Sequence, residues 1–301
     1  MSGQKIPTHK STKPIISLLG KELFFTINDD EASIKARDEL AILIKEALND
    51  MEKEPCEPSH YGRAGFYTWY LNDLEGSLKI FDEGIENCPE SHELYLYKTL
   101  VKTTMRDLAG AIVAAERAAA LIKDKPDHGF DMRVFMHPNP RRYWPSSIHY
   151  MIWYHSGMAY YLSGDLEKAK QAYIKSGECI YGNGSLVSRS CWFYPVLREL
   201  GEYDQAEALM AGIDDDIKTL ADTVYRDQCF LFKGTLSVED IQAKAGGNLN
   251  IIQEYAIGYW HYTRGELDKA KVYFERVCAR PEIDVYIMIA AEAKLKSYLG
   301  A

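Results

Sequence analysis

The sequence predicts an all-α protein, a right-handed solenoid of stacked antiparallel helix pairs with a capping helix at each end. Three observations predict it. A four-position pattern of small and aromatic residues returns along the chain, apolar residues follow helical rather than alternating spacing, and Gly recurs where one helix must hand over to the next.

Taken in chain order, residues 1–14 are polar and mildly basic and read as a flexible tail, leaving 15–301 as a single domain. From Asp30 to Met51, Leu40, Leu43, Ile44, Ala47, Leu48 and Met51 keep the i, i+3, i+4, i+7 spacing of one helix face, the expected N-terminal cap. The repeat follows. Gly157, Gly164, Ala169 and Tyr173 stand seven, five and four residues apart, and Gly258, Gly265, Ala270 and Phe274 repeat those offsets. Looser copies run through Gly65, Asn72, Ser77 and Phe81, through Thr99, Arg106, Ala111 and Ala115, and through Tyr194, Gly201, Ala206 and Met210. The third positions, Ser77, Ala111, Ala169, Ala206 and Ala270, are separated by 34, 58, 37 and 64 residues: one unit, one unit plus an insertion, one unit, and two units. A degenerate unit is therefore expected between Ile217 and Gly247. Ile283 to Leu299 forms a last helix, expected to close the far end, with Lys294 and Lys296 where the helix dipole favours cations.

Two antiparallel helices approach closely only where small side chains meet, and the turn between them favours Gly followed by a polar residue. A single pair cannot bury its apolar face, so units stack into one continuous core. With this spacing and period, the segments from about Ser59 to Arg280 resemble tetratricopeptide repeats. The resemblance implies that the first helix of each pair lines a concave surface that holds a peptide segment or a small ligand.

An insertion of about 123–146 interrupts the array. Its four prolines preclude a regular helix, yet it carries aromatic residues that a wholly solvated loop would not need. Arg141 and Arg142 beside Trp144, with Asn139, could clamp a carboxylate or planar anion.

Tyrosine stands out, with 21 residues against 10 phenylalanines. Phe66, Trp69, Tyr154, Met158, Tyr161, Tyr255, Tyr259 and Tyr262 are the residues expected to face the concave side, with His155 a further candidate for ligand binding, and Tyr255, Tyr259 and Tyr262 share one helical face. A buried phenol needs a polar partner, so such a surface suits a partly wet pocket. The expected function is a binding or adaptor protein. The alternative is a small-molecule enzyme of isomerase, cyclase or hydrolase type, with Tyr and His as acid and base beneath the inserted loop.

Net charge is −9 without a dense Lys/Arg stretch, which argues against nucleic acid. No run is long and apolar enough for a membrane span, and six scattered cysteines without a CxxC pair fit the cytosol. No cofactor and no metal site are expected: Gly182-Asn-Gly184 lacks a phosphate-loop context, there is no HExxH, and His137, His149 and His155 could converge only by folding. Asp214, Asp215 and Asp216 read as the cap of a helix beginning near Ile217.

Overall fold

The computed structural model describes residues 8–11, 13–130, 146–219 and 223–299. A long helix α1 (Glu31–Lys53), capped by Asp30, packs against the first of a series of helix pairs. The pairs are α2 (Pro58–Tyr70) with α3 (Leu74–Asn87), α4 (His92–Thr104) with α5 (Leu108–Ile122), and α6 (Ile148–Ser163) with α7 (Leu166–Glu178). They continue as α8 (Gly182–Glu199) with α9 (Tyr203–Ala211), α10 (Thr223–Lys233) with α11 (Val238–Lys244), and α12 (Ile251–Tyr262) with α13 (Leu267–Cys278). A final helix, α14, spans Tyr286–Leu299.

The four-position pattern is the packing code of these pairs. A Cβ added at Gly157 would lie 2.9 Å from the Tyr173 ring, and one at Gly258 would lie 3.0 Å from Phe274. In each case the glycine of the first helix is the slot that the aromatic residue of the second one fills. Ala111, Ala169, Ala206 and Ala270 are fully buried at the contact. Between the helices, the residue before the second-helix cap is left-handed in five pairs: Asn72 (φ 65), Arg106 (φ 63), Gly164 (φ 88), Gly201 (φ 76) and Gly265 (φ 72). The departures from glycine at positions 72 and 106 therefore leave the turn unchanged. Asp73, Asp107 and Asp165 then cap α3, α5 and α7 by accepting backbone N–H bonds three residues on.

Short strands pin the ends. Thr8–Lys10, within the segment read as a tail, forms β1 and pairs with β4 (Thr26–Asn28), and inside it β2 (Ile15–Ile16) pairs with β3 (Glu22–Leu23). Gly129–Phe130 (β5) pairs with Ser146–Ser147 (β6) and clasps the neck of the insertion. No helix begins at Ile217, since residues 217–219 are not helical and the next helix is described from Thr223; Asp214 closes a turn, its Oδ1 accepting the Asp216 N–H.

The last helix packs mostly against α13 and α12 of the final pair, as a closing helix should, and reaches beyond them to touch the first helices α4 and α6. The reason lies in its burial pattern, since Ile287, Met288, Ile289, Ala290, Ala291 and Glu292 are buried in succession. A terminal cap needs one apolar face, whereas a helix buried all round must be surrounded.

Candidate functional site

Most of the expected aromatic residues come from two first helices, α6 and α12. Tyr154, His155 and Tyr161 project from α6, and Tyr255 and Tyr259 from α12, all of them buried. Tyr255, Tyr259 and Tyr262 do form a single face, with successive ring centroids 6.1 and 5.6 Å apart. Trp69 is not part of this group, being stacked on Phe66 in the first pair at 5.8 Å. Arg141, Arg142 and Trp144 lie outside the described residues.

The polar centre of the groove is Glu199, the last residue of α8. Its Oε1 accepts hydrogen bonds from the hydroxyls of Tyr161 (3.0 Å) and Tyr259 (3.1 Å) and pairs with Lys294 Nζ of α14 at 2.5 Å. The Lys294 ammonium also lies 5.4, 5.9 and 5.3 Å from the ring centroids of Tyr161, Tyr259 and Tyr262. One carboxylate and three phenol rings thus make a cation seat, in which ring quadrupoles and a formal charge act together. Burial pushes the Tyr161 and Tyr259 phenols well up, with the Glu199 charge adding to it. The same burial pushes Lys294 down, and Glu199 opposes that by favouring the ammonium.

A second seat lies two residues earlier on α14. Arg106 Nη2 donates to Glu292 Oε1 at 2.7 Å and Arg106 Nε to Glu292 Oε2 at 3.3 Å, while Arg106 Nη1 donates to the Ile283 carbonyl at 2.6 Å. The Leu18 N–H also donates to Glu292, so the N-terminal segment closes over the same point. Between the seats, Leu18, Arg106, Tyr161, Glu199 and Lys294 border a cleft of about 760 Å³.

His155 is poorly placed for acid–base chemistry. His155 packs its ring against Tyr154 and against Tyr286 of α14, and burial pushes it down to about 3, so it stays neutral at ordinary pH. His261 is held by Glu266 at 2.6 Å, against the rings of Trp260 and Tyr273.

Arg106, Glu199, Glu292 and Lys294 are the site residues that sequence reasoning did not select. One signal was present: Arg106 occupies a turn position where a left-handed backbone favours glycine, a strain that persists only when surroundings fix it.

Residues 152–176 match the tetratricopeptide repeat family model. No curated protein matches the chain. Solved structures similar to it include YrrB, described as a tetratricopeptide repeat protein with an unusual peptide-binding site, at 14% identity, 83% coverage of this chain, 97% of its own and a TM-score of 0.44. A tetratricopeptide repeat protein from Parabacteroides merdae is 14% identical over 85% of this chain and 99% of its own, with a TM-score of 0.47. MamA is 14% identical over 73% and 90%, with a TM-score of 0.40. The paired helices make the chain an all-α solenoid, and one segment of it, in α6 and α7, is similar to a tetratricopeptide repeat. Among the described residues, no helix is long and apolar enough to cross a membrane.

Proposed function

We propose that the chain is a protein-binding or adaptor protein, one domain over residues 15–301 acting in the cytosol, whose concave groove receives an amphipathic helical segment of a partner. The observation that carries this reading is that the groove already holds a helix. Helix α14 lies against α4, α6 and α12 with its apolar residues buried, Lys294 in the Glu199 seat and Glu292 on Arg106. This is the helix-in-groove mode of recognition. The preferred partner segment presents a cation and, two residues before it, a carboxylate, so that the two reach different walls of the groove. It competes with α14, so its apparent affinity is reduced by the small fraction of molecules in which α14 has left.

The enzyme reading needs a titratable histidine facing a phenol in the cavity. Burial keeps His155 neutral and a weak base, which counts against that reading.

The test uses a labelled peptide of residues 285–299 added to the intact protein and to Glu292→Gln, in which α14 is held less firmly. Binding by the variant that is at least about tenfold tighter than by the parent is expected, with loss of binding when the peptide lysine matching Lys294 becomes alanine. If neither protein binds the peptide, the groove is a closed core and the proposal fails.

A further inference from the structure

Outside the groove, the neck of the insertion gathers three side chains of different chemistry. Asp127 follows α5, His149 is the second residue of α6, and Cys179 ends α7. One ligand atom from each lies within 4.8 Å of the other two. We propose that Asp127, His149 and Cys179 form a transition-metal site of the zinc class, with water in the fourth position.

Three features support the assignment. The His149 Nε2 atom is buried and has no hydrogen-bond partner. A buried polar atom without a partner is disfavoured, and a cation at the trio is the partner it lacks. Asp127 is held in place, since its Oδ1 accepts the backbone N–H of His128 (2.9 Å) and of His149 (3.1 Å), leaving Oδ2 for a metal. Such outer hydrogen bonds orient metal-binding carboxylates. The framework is fixed as well: β5 pairs with β6 beside the site, and the Ser147 hydroxyl donates to the Cys179 carbonyl at 3.4 Å.

The donor set selects the ion. Calcium and magnesium require an oxygen-dominated shell, whereas one carboxylate oxygen, one imidazole nitrogen and one thiolate suit zinc. A tetrahedral zinc ion with bonds of about 2.0–2.3 Å sets its ligands about 3.3–3.7 Å apart, so the trio closes with movements of about 1 Å. The neighbouring set of His92, Glu93 and His128 is less suited. His92 Nε2 already pairs with Glu93 at 3.3 Å, and Lys125 places its ammonium 3.5 Å from His92 Nδ1, where a second cation would be repelled.

The experiment titrates the chelator-stripped full-length protein with Zn²⁺ and, in parallel, with Co²⁺. One equivalent is expected to bind, with a thiolate-to-cobalt charge-transfer band and a zinc-dependent rise in melting temperature. Cys179→Ser should abolish the band, and His149→Gln should weaken binding by more than about tenfold, since even losses outside the metal's own ligands reach that size. His92→Gln should change neither. The proposal is overturned if no stoichiometric binding occurs, if the band survives in Cys179→Ser, or if His92→Gln removes it.

Discussion

Arg106 and Glu292 are 186 residues apart in sequence and form an ion pair with both side chains 2% exposed. The pair joins the turn of the second helix pair to the middle of α14, and so fixes the last helix inside the superhelix. Arg106 adopts φ 63 to do so, a conformation that costs most side chains about 1–2 kcal/mol.

Removing one partner leaves the other charged and buried. Glu292→Gln should therefore lower stability by about 3 kcal/mol, and replacing both residues by Met should recover most of that loss. Urea denaturation of the two variants checks this. Equal destabilisation by the single and the double substitution would mean that the charge of the remaining arginine is not the cause.

Glu199 presents a second buried-charge test. Glu199→Gln removes the countercharge of Lys294 and should cost about 3 kcal/mol, whereas Tyr161→Phe, which removes one hydroxyl from the same oxygen, should cost about 1 kcal/mol. Because both act on one atom, their effects should not add, and a double-mutant cycle measures the coupling.

At high pH the tyrosines decide. Burial raises the phenols of Tyr154, Tyr161, Tyr173 and Tyr259 well above their usual value. A group whose folded pKa is raised contributes stability that is full below its unfolded pKa and is lost above it. Stability should therefore fall as pH rises beyond about 10, and tyrosinate absorbance should appear together with loss of helix. Lys294, pushed down by burial, acts with the opposite sign as pH climbs toward about 10.5, but as one group against four. Tyrosinate signals from these phenols in a fully helical protein would refute the account.

At low pH His155 is the group to watch. Its folded pKa of about 3 lies below the unfolded value, so its contribution is present above about 6.5 and is lost as pH falls toward 3. His155→Phe should reduce acid sensitivity, by about 3 kcal/mol between pH 6.5 and pH 4. Thermal melts across that range, parent against variant, provide the comparison.

The repeat glycines have two separable roles. Gly157→Ala should cost about 1–3 kcal/mol because its Cβ meets the Tyr173 ring at 2.9 Å. Gly164→Ala has open space but φ 88 and should cost about 1 kcal/mol. Gly164→Asn should be better tolerated than Gly164→Ala, since Asn72 holds the equivalent turn. Melting temperatures in the reverse order would reject the assignment of roles.

How much of this was legible follows from the range of each interaction. The pattern Gly157, Gly164, Ala169, Tyr173 sits within one helix pair, where partners are near in sequence, and it translated directly into the α6–α7 contact. The shared face of Tyr255, Tyr259 and Tyr262 was legible for the same reason. The association of Tyr161 with Glu199 and Lys294 was not, because it depends on how the superhelix brings α6, α8 and α14 together. Likewise, nothing in the spacing of Asp127, His149 and Cys179 marks them as neighbours; the neck of the insertion and two helix ends bring them there.

By itself the sequence determined the all-α class, the helix pairs, the turn positions and the shared face of Tyr255, Tyr259 and Tyr262, since each follows from local periodicity and from contacts between adjacent helices. Tertiary structure alone decided what fills the groove. The apolar run of Ile287 to Ala291 requires burial but does not say against what. Only the tertiary contacts decide it, with Arg106 receiving Glu292 and Glu199 receiving Lys294 from helices far away in sequence.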